Sequence, residues 1–247
     1  MNINNTNHHY GRFGNQFLVS MALNYLAKKN DLLVNYKEYE NFKILGIKLY
    51  IDGKNTYNET IKLNDDIFFK LIISENPQYK NFSIDNDFWC QTKEFVIYLK
   101  KNFYNEHKDN IIENNIFKER YKNNNDLFIH VRLGDIIEMK NNEPYEYYEK
   151  AIDNLNNNYD IGYISSDSID NDICLKLINK YNLKIINYNI VKTIMFATTT
   201  KNIILSSGTF SWLIGFLSFY SKILYPKFKN RWFGDIFVFE DWFEIDF

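Results

Sequence analysis

Three short stretches carry residue types that could do chemistry together: His130-Val131-Arg132-Leu133-Gly134-Asp135, Ser165-Ser166-Asp167 and Ser206-Ser207-Gly208-Thr209-Phe210-Ser211. An arginine can grip two phosphate oxygens at once, and an aspartate can accept hydrogen bonds from a base or a ribose. A hydroxyl-rich stretch that opens a helix presents backbone N–H groups to an anion. Singly, each is ordinary. Ser and Thr cap helices, and Arg132 with Asp135 reads equally well as a surface ion pair at a strand end. On one sheet edge, the three stretches describe a seat for a nucleotide's phosphates.

The elements around them say whether they share an edge. Leu127, Phe128, Ile129 and Val131 flank His130, a run suited to a strand covered on both faces of a parallel sheet. Arg132 and Asp135 then fall where the strand gives way to a loop, at the carboxyl edge where open α/β sheets bind ligands. From 126 onward the pattern is regular: strand 127–132, helix about 145–155, strand 161–165, helix about 169–181 and strand 184–188. A helix near 190–200, a strand at 203–206, a helix near 209–219 and a strand at 222–225 follow. This alternation implies a parallel, Rossmann-like sheet.

The upstream half reads less clearly. Phe17, Leu18, Met21, Ala22, Tyr25 and Leu26 give 14–29 a helical period, as an amphipathic helix would show. Leu32-Leu33-Val34 reads as a short strand, 36–110 shows broken aromatic patterns, and the polar, Asn-rich 105–126 reads as a linker. The expected division is therefore an N-terminal lobe over 1–115 and a C-terminal lobe over 126–225. The segment 226–247 could pack back on the first lobe.

Composition narrows the function classes. With 247 residues, 45% apolar and 18% aromatic, the chain can bury a sizeable core and is not a disordered segment. A formal charge of −2 gives no overall attraction to nucleic acid or to an anionic membrane, so an anionic ligand needs a local cationic site. Cys90 and Cys174 stand far apart and outside any CxxC spacing, and each reads as a buried free thiol. The start, MNINNTNHHYGRFG, lacks the basic and apolar regions of a signal peptide. The longest apolar stretch, Phe210 to Tyr220, is about half of the roughly 20 residues a membrane span needs. A cytoplasmic protein without a membrane segment is expected.

The order of the motifs carries a family resemblance. HVRLGD resembles the HxRRxD motif shared by α1,2-, α1,6- and protein O-fucosyltransferases. Gly11-Arg12-Phe13-Gly14-Asn15-Gln16, then HVRLGD, then Ser-Ser-Asp, then SSGTFSWL is similar to the order in the α1,2-fucosyltransferases of glycosyltransferase family 11. Trp232-Phe233 followed by Trp242 also resembles that family's ending.

The resemblance implies a GT-B-like α/β architecture: two Rossmann-like lobes with a donor-binding cleft between them. It implies an inverting glycosyltransferase that moves L-fucose from GDP-fucose to a hydroxyl of a glycan acceptor. By position, Arg132 would hold the donor pyrophosphate, with His130 and Asp167 near the guanine. Thr209, Phe210 and Ser211 would line the phosphate and sugar pocket, and Gly14, Asn15 and Gln16 would reach the donor from the other lobe. Asp135 and then Glu138 are the candidate general bases, although Asp135 reads equally as a brace for Arg132.

The sequence departs from the pattern at three places. Leu133 stands where the motif has its second arginine, Asn4 to Tyr10 are polar where the family has an apolar first strand, and the chain is short for the family. The last difference is expected on acceptor-side loops. Asp167, Asp170 and Asp172 lack the spacing and glycine of a calcium loop. Asp170 and Asp172 are placed in the first turn of the next helix. His8, His9, His107 and His130 show no ligand spacing beyond the adjacent pair. No metal and no cofactor beyond the donor substrate are therefore expected. The alternatives are a transferase using another deoxyhexose nucleotide, such as an activated rhamnose, or an inactive nucleotide- or carbohydrate-binding module. A dinucleotide enzyme is disfavoured because no GxGxxG follows a first strand.

Overall fold

The computed structural model describes residues 11–84, 88–227 and 236–247. His8, His9 and the Trp232-Phe233 pair lie outside them. The chain is α/β with parallel sheets, and it falls into two compact units. The first runs to Ile111 and also includes Ile236; the second starts at Ile112 and includes Phe237–Phe247.

The first unit opens with α1 (Phe13–Asn30), followed by α2 (Tyr39–Ile44), β1 (Thr60–Leu63), α3 (Asp65–Ile73), β2 (Asn81–Ile84) and α4 (Lys93–Asn114). Helix α1 runs uninterrupted because no proline or internal glycine follows Gly14, and Lys28 and Lys29 sit favourably in its last turn. Val19 to Leu23 are all buried. It is thus a helix enclosed on nearly every side, and the expected amphipathic one is corrected. The expected strand at 32–34 is an isolated bridge from Leu32 to Asn55. Strands β1 and β2 pair in parallel around α3, the only sheet of this unit among the described residues. Phe68 packs edge-on against Phe88 and Phe95 at 5.1 Å in its core. The expected linker at 105–126 is also corrected: α4 continues to Asn114 and crosses the division between units. Phe103, His107 and Ile111 bury one side of α4, with Asn105 and Asn114 exposed, while Asn110 bonds Gly46 O and buried Asn115 bonds Met195 O.

In the second unit, β3 (Leu127–Val131), α5 (Tyr145–Asp153), β4 (Gly162–Ser166), α6 (Asp172–Tyr181) and β5 (Lys184–Ile185) form its first half. The second half comprises α7 (Ile190–Ala197), β6 (Asn202–Ile204), α8 (Thr209–Phe216), β7 (Lys222–Pro226) and β8 (Trp242–Ile245). The asparagines of this unit have local work. Asn171 and Asn189 cap α6 and α7 by accepting backbone N–H bonds, and Asn182 takes the left-handed conformation that ends α6. Helix α6 thus starts at Asp172, and Asp170 precedes it.

All six strands run parallel, in the order β5-β4-β3-β6-β7-β8. The chain walks outward from β3 through β4 to β5, returns to the other side of β3 as β6, and walks outward again. That is the doubly wound Rossmann order, and the reversal lies between β3 and β6. β3 is buried along its whole length, as its unbroken apolar run requires. Of the segment expected to return to the first lobe, Ile236 groups with the first unit among the described residues, whereas Pro226 lies in β7 and Trp242–Ile245 is the edge strand of this sheet. Buried Trp242 and Ile245 fix that strand. Among the described residues, no helix is long and apolar enough to cross a membrane. Both cysteines are free and buried.

Candidate functional site

Where β3 and β6 end, their loops are tied to each other. The Arg132 N–H donates to Ser206 Oγ at 3.0 Å, and Ser206 Oγ lies 3.0 Å from Ser211 Oγ. His130 Nδ1 meets Ser211 Oγ at 2.5 Å and Ser206 Oγ at 3.4 Å. The Phe210 ring stands edge-on to the His130 ring at 5.1 Å. Burial pushes His130 down to about 4, helped by Arg132 and opposed by Asp167. The imidazole is therefore neutral at ordinary pH, a fixed post between the two loops.

Arg132 lies over the start of α8. Gly208, just before that helix, has φ +97, and a Cβ there would come within 3.6 Å of Arg132 Nη1. Glycine meets the demand of that positive-φ backbone, and a Cβ there would be in ordinary contact with the guanidinium. Arg132 Nη2 donates to Asp135 Oδ1 at 2.7 Å, while Nε is buried without a hydrogen-bond partner. The arginine side chain is 15% exposed and that of Asp135 53%.

Two carboxylates hold the loops. Asp167 Oδ1 accepts from Leu133 N at 2.9 Å and Gly134 N at 3.0 Å. A Cβ on Gly134 would lie 2.4 Å from Asp167 Oδ2, so glycine lets the loop close onto that carboxylate. On the other side, Glu143 Oε1 accepts from Ser207 N at 3.0 Å, while Oε2 is buried with no partner. Glu143 is only 5% exposed. Burial pushes its carboxyl up to about 7, partly offset by the Ser207 bond and by Arg132. The Tyr147 hydroxyl donates to Leu205 O, and fully buried Tyr148 has Glu143 and Ser206 among its polar neighbours. Leu205 and Ser207 are thus held from α5 and the segment before it.

The structure brings Arg132, His130, Asp135, Asp167, Thr209, Phe210 and Ser211 to one sheet edge, as the sequence reading expected. Their bonds within the protein are as follows. His130 and Asp167 bind the protein's own loops, and Asp135 holds the arginine. Glu138 is exposed in the turn after the loop and takes no part in the network. Leu133 is fully buried in the core with Val131, Tyr147 and Tyr148. Position 133 therefore faces inward, and a second arginine would have no place in the site. Gly14, Asn15 and Gln16 open α1 in the first unit, where Gln16 Nε2 donates to Gly11 O at 2.8 Å and Gln91 Nε2 to Asn15 Oδ1 at 3.2 Å. Sequence reasoning missed Glu143. Its one signal is a charge followed by a proline helix start and the apolar-faced Tyr147-Tyr148 pair.

The arrangement can hold an anion with several oxygens. It offers an arginine with donors to spare, a helix start free of side chain at Gly208, and hydroxyls around it. Among the described residues, no group of three or more His, Cys, Asp or Glu could hold a metal ion. Comparison with known protein families, curated proteins and solved structures finds no match.

Proposed function

We propose that the chain is an inverting glycosyltransferase that seats the diphosphate of a nucleotide sugar at the strand reversal between β3 and β6. The observation that carries this is the Arg132 guanidinium beside Gly208 at the start of α8, on the carboxyl edge where doubly wound sheets bind nucleotides. GDP-fucose as donor and a glycan hydroxyl as acceptor rest on the motif resemblance. So do the GT-B-like architecture and the donor contacts of Gly14, Asn15 and Gln16.

In such a reaction the acceptor oxygen attacks the anomeric carbon opposite the leaving diphosphate, so a β-linked donor gives an α-linked product. Arg132 and the first N–H groups of α8 would stabilise the charge that grows on the departing phosphate oxygens. No metal is assigned to this role. Asp135 is bonded to Arg132, which supports a bracing role and leaves the general base unassigned. That bond also favours a second reading, a nucleotide-binding module without transfer.

The test measures binding of GDP, UDP and dTDP, and turnover of their sugars, in wild type and Arg132→Ala. Charge-assisted bonds to a diphosphate contribute about 1.5–3 kcal/mol each, so the variant should lose GDP affinity at least tenfold and all transfer while keeping its circular dichroism. Unchanged GDP affinity in the variant removes Arg132 from any donor site. Nucleotide binding without turnover on a broad set of acceptors selects the module.

A further inference from the structure

We infer that Glu143 is the proton acceptor of the anion site: a diphosphate that binds beside Arg132 brings a proton onto Glu143, and the protein holds that ligand more tightly as pH falls. This rests on the diphosphate reading above and adds a residue and a pH response to it.

The geometry sets two anions in competition for one seat. Glu143 already occupies the entrance to α8, with Oε1 on the Ser207 N–H at 3.0 Å. Its second oxygen is buried and takes no hydrogen bond, and Arg132 Nε nearby is buried and gives none. Two unpaired polar atoms in one buried network are costly to leave so. A ligand oxygen would accept from the arginine, and a proton on Oε2 would remove the buried charge.

The charge count points the same way. Among the described residues, Arg132 is the one cation of this cluster. Asp135 is bonded to it, and Glu143 feels it through space. The other groups facing Glu143 are Tyr147 and Tyr148 on α5, both held protonated by burial and by Glu143 itself. Ser207 supplies only its amide and hydroxyl. With Glu143 ionised, a diphosphate would join a buried carboxylate and the exposed Asp135 and Asp167 around a single guanidinium. With Glu143 protonated, the carboxylates that remain are both solvent-exposed. Like charges in a shared buried site favour taking up a proton. The proton comes from solvent and adds to Oε2, and no other bond changes. The raised affinity of the carboxyl for protons in the empty site fits this role.

The experiment is calorimetric titration of GDP into wild type and Glu143→Gln, at about pH 6, 7 and 8, in buffers of different ionisation enthalpy. Phosphate groups titrate in this range too, so the quantity read is the difference between the two proteins. Wild type should take up more protons than the variant at pH 7 and 8. Its affinity should rise by up to about tenfold per pH unit on acidification beyond that of the variant, the limit for one linked proton. A role in loop geometry alone would lower the variant's affinity equally at every pH and leave proton uptake unchanged. That result overturns the inference but leaves the diphosphate reading standing. If wild type binds no diphosphate at any pH, both fail. Should Glu143→Gln not fold, infrared difference spectra of wild type at pH 8 decide: a protonated carboxyl band gained on GDP binding supports the inference, and none overturns it.

Discussion

The loop after β3 and the loop after β6 stand side by side on one sheet edge, and each is held by a carboxylate, but the two carboxylates live in opposite conditions. Asp167 is exposed and takes two N–H groups on one oxygen. Glu143 is buried and meets the Ser207 N–H through one oxygen, with its second oxygen unmet. A carboxylate buried away from water is poised to take a proton. The first loop is therefore fixed by Leu133 in the core and by two backbone bonds, and the second carries a group that answers to pH. The same side-chain chemistry yields a brace in one place and a titrating group in the other, because burial differs.

The largest effect should come from forcing charge into the rigid loop. Leu133 is fully buried among Val131, Tyr147 and Tyr148. Leu133→Arg, which writes the doubled arginine of the fucosyltransferase motif into this chain, should bury an unpaired cation and cost on the order of 4 kcal/mol or more. The urea midpoint should fall sharply. A variant as stable as wild type would mean that position 133 can turn toward the site, and the contrast between a core-anchored loop and a titrating one would break.

A smaller effect separates the two loops by pH. His130, between them, is pushed by burial from its ordinary 6.5 down to about 4. Stability from keeping it neutral is present above pH 6.5 and lost as pH falls toward 4. Glu143 is pushed from 4.5 up to about 7. Its contribution is present below pH 4.5 and lost as pH rises through 7. Each amounts to something on the order of 3 kcal/mol, and between pH 4.5 and 6.5 the two slopes oppose one another. Wild type should thus show a shallow dependence in that window. Relative to it, His130→Gln should gain stability on acidification and Glu143→Gln should lose it, as read from denaturant midpoints at both ends. Parallel slopes in all three proteins would sink the assignment.

How legible this was differs between the units for a physical reason. In the second unit each strand is a short apolar run ending in small or charged residues, so β3, β4 and β6 and the loops with Arg132, Asp167 and Ser206–Ser211 could be read locally. Edge strand β8 could not: its buried, exposed, exposed, buried pattern breaks the alternation that marks a strand. In the first unit α1 is enclosed on all sides, so its period is blurred. The polar face of α4 looked like a linker because its buried residues are spaced one turn apart among asparagines. Glu143 was illegible in a different sense. Nothing near it in sequence says that Ser207, sixty-four residues downstream, will meet it, and a glutamate before a helix ordinarily reads as solvated. Long-range burial of polar groups is where pattern reading ends.

The smallest effect concerns Asp135, the second carboxylate touching the rigid loop's cation. Its bond to Arg132 Nη2 is short, 2.7 Å, but its side chain is more than half exposed. Water and salt screen such a pair, so it contributes under about 1 kcal/mol to stability. Asp135→Asn keeps an oxygen to accept from Nη2 and removes a negative charge beside the proposed diphosphate seat. Weakened orientation and relieved repulsion then act against each other on the ligand. Unfolding midpoints should stay close to wild type, GDP affinity should change by no more than several-fold, and transfer should follow binding. Asp135→Ala, which removes the acceptor oxygen as well, should weaken GDP binding further. If Asp135 were instead the base that takes the acceptor's proton, Asp135→Asn would cut transfer by about 10²–10⁴ with GDP binding intact. That outcome would make the exposed carboxylate of the rigid loop the chemical group and leave Glu143 as scaffolding, the reverse of the contrast the two loops present.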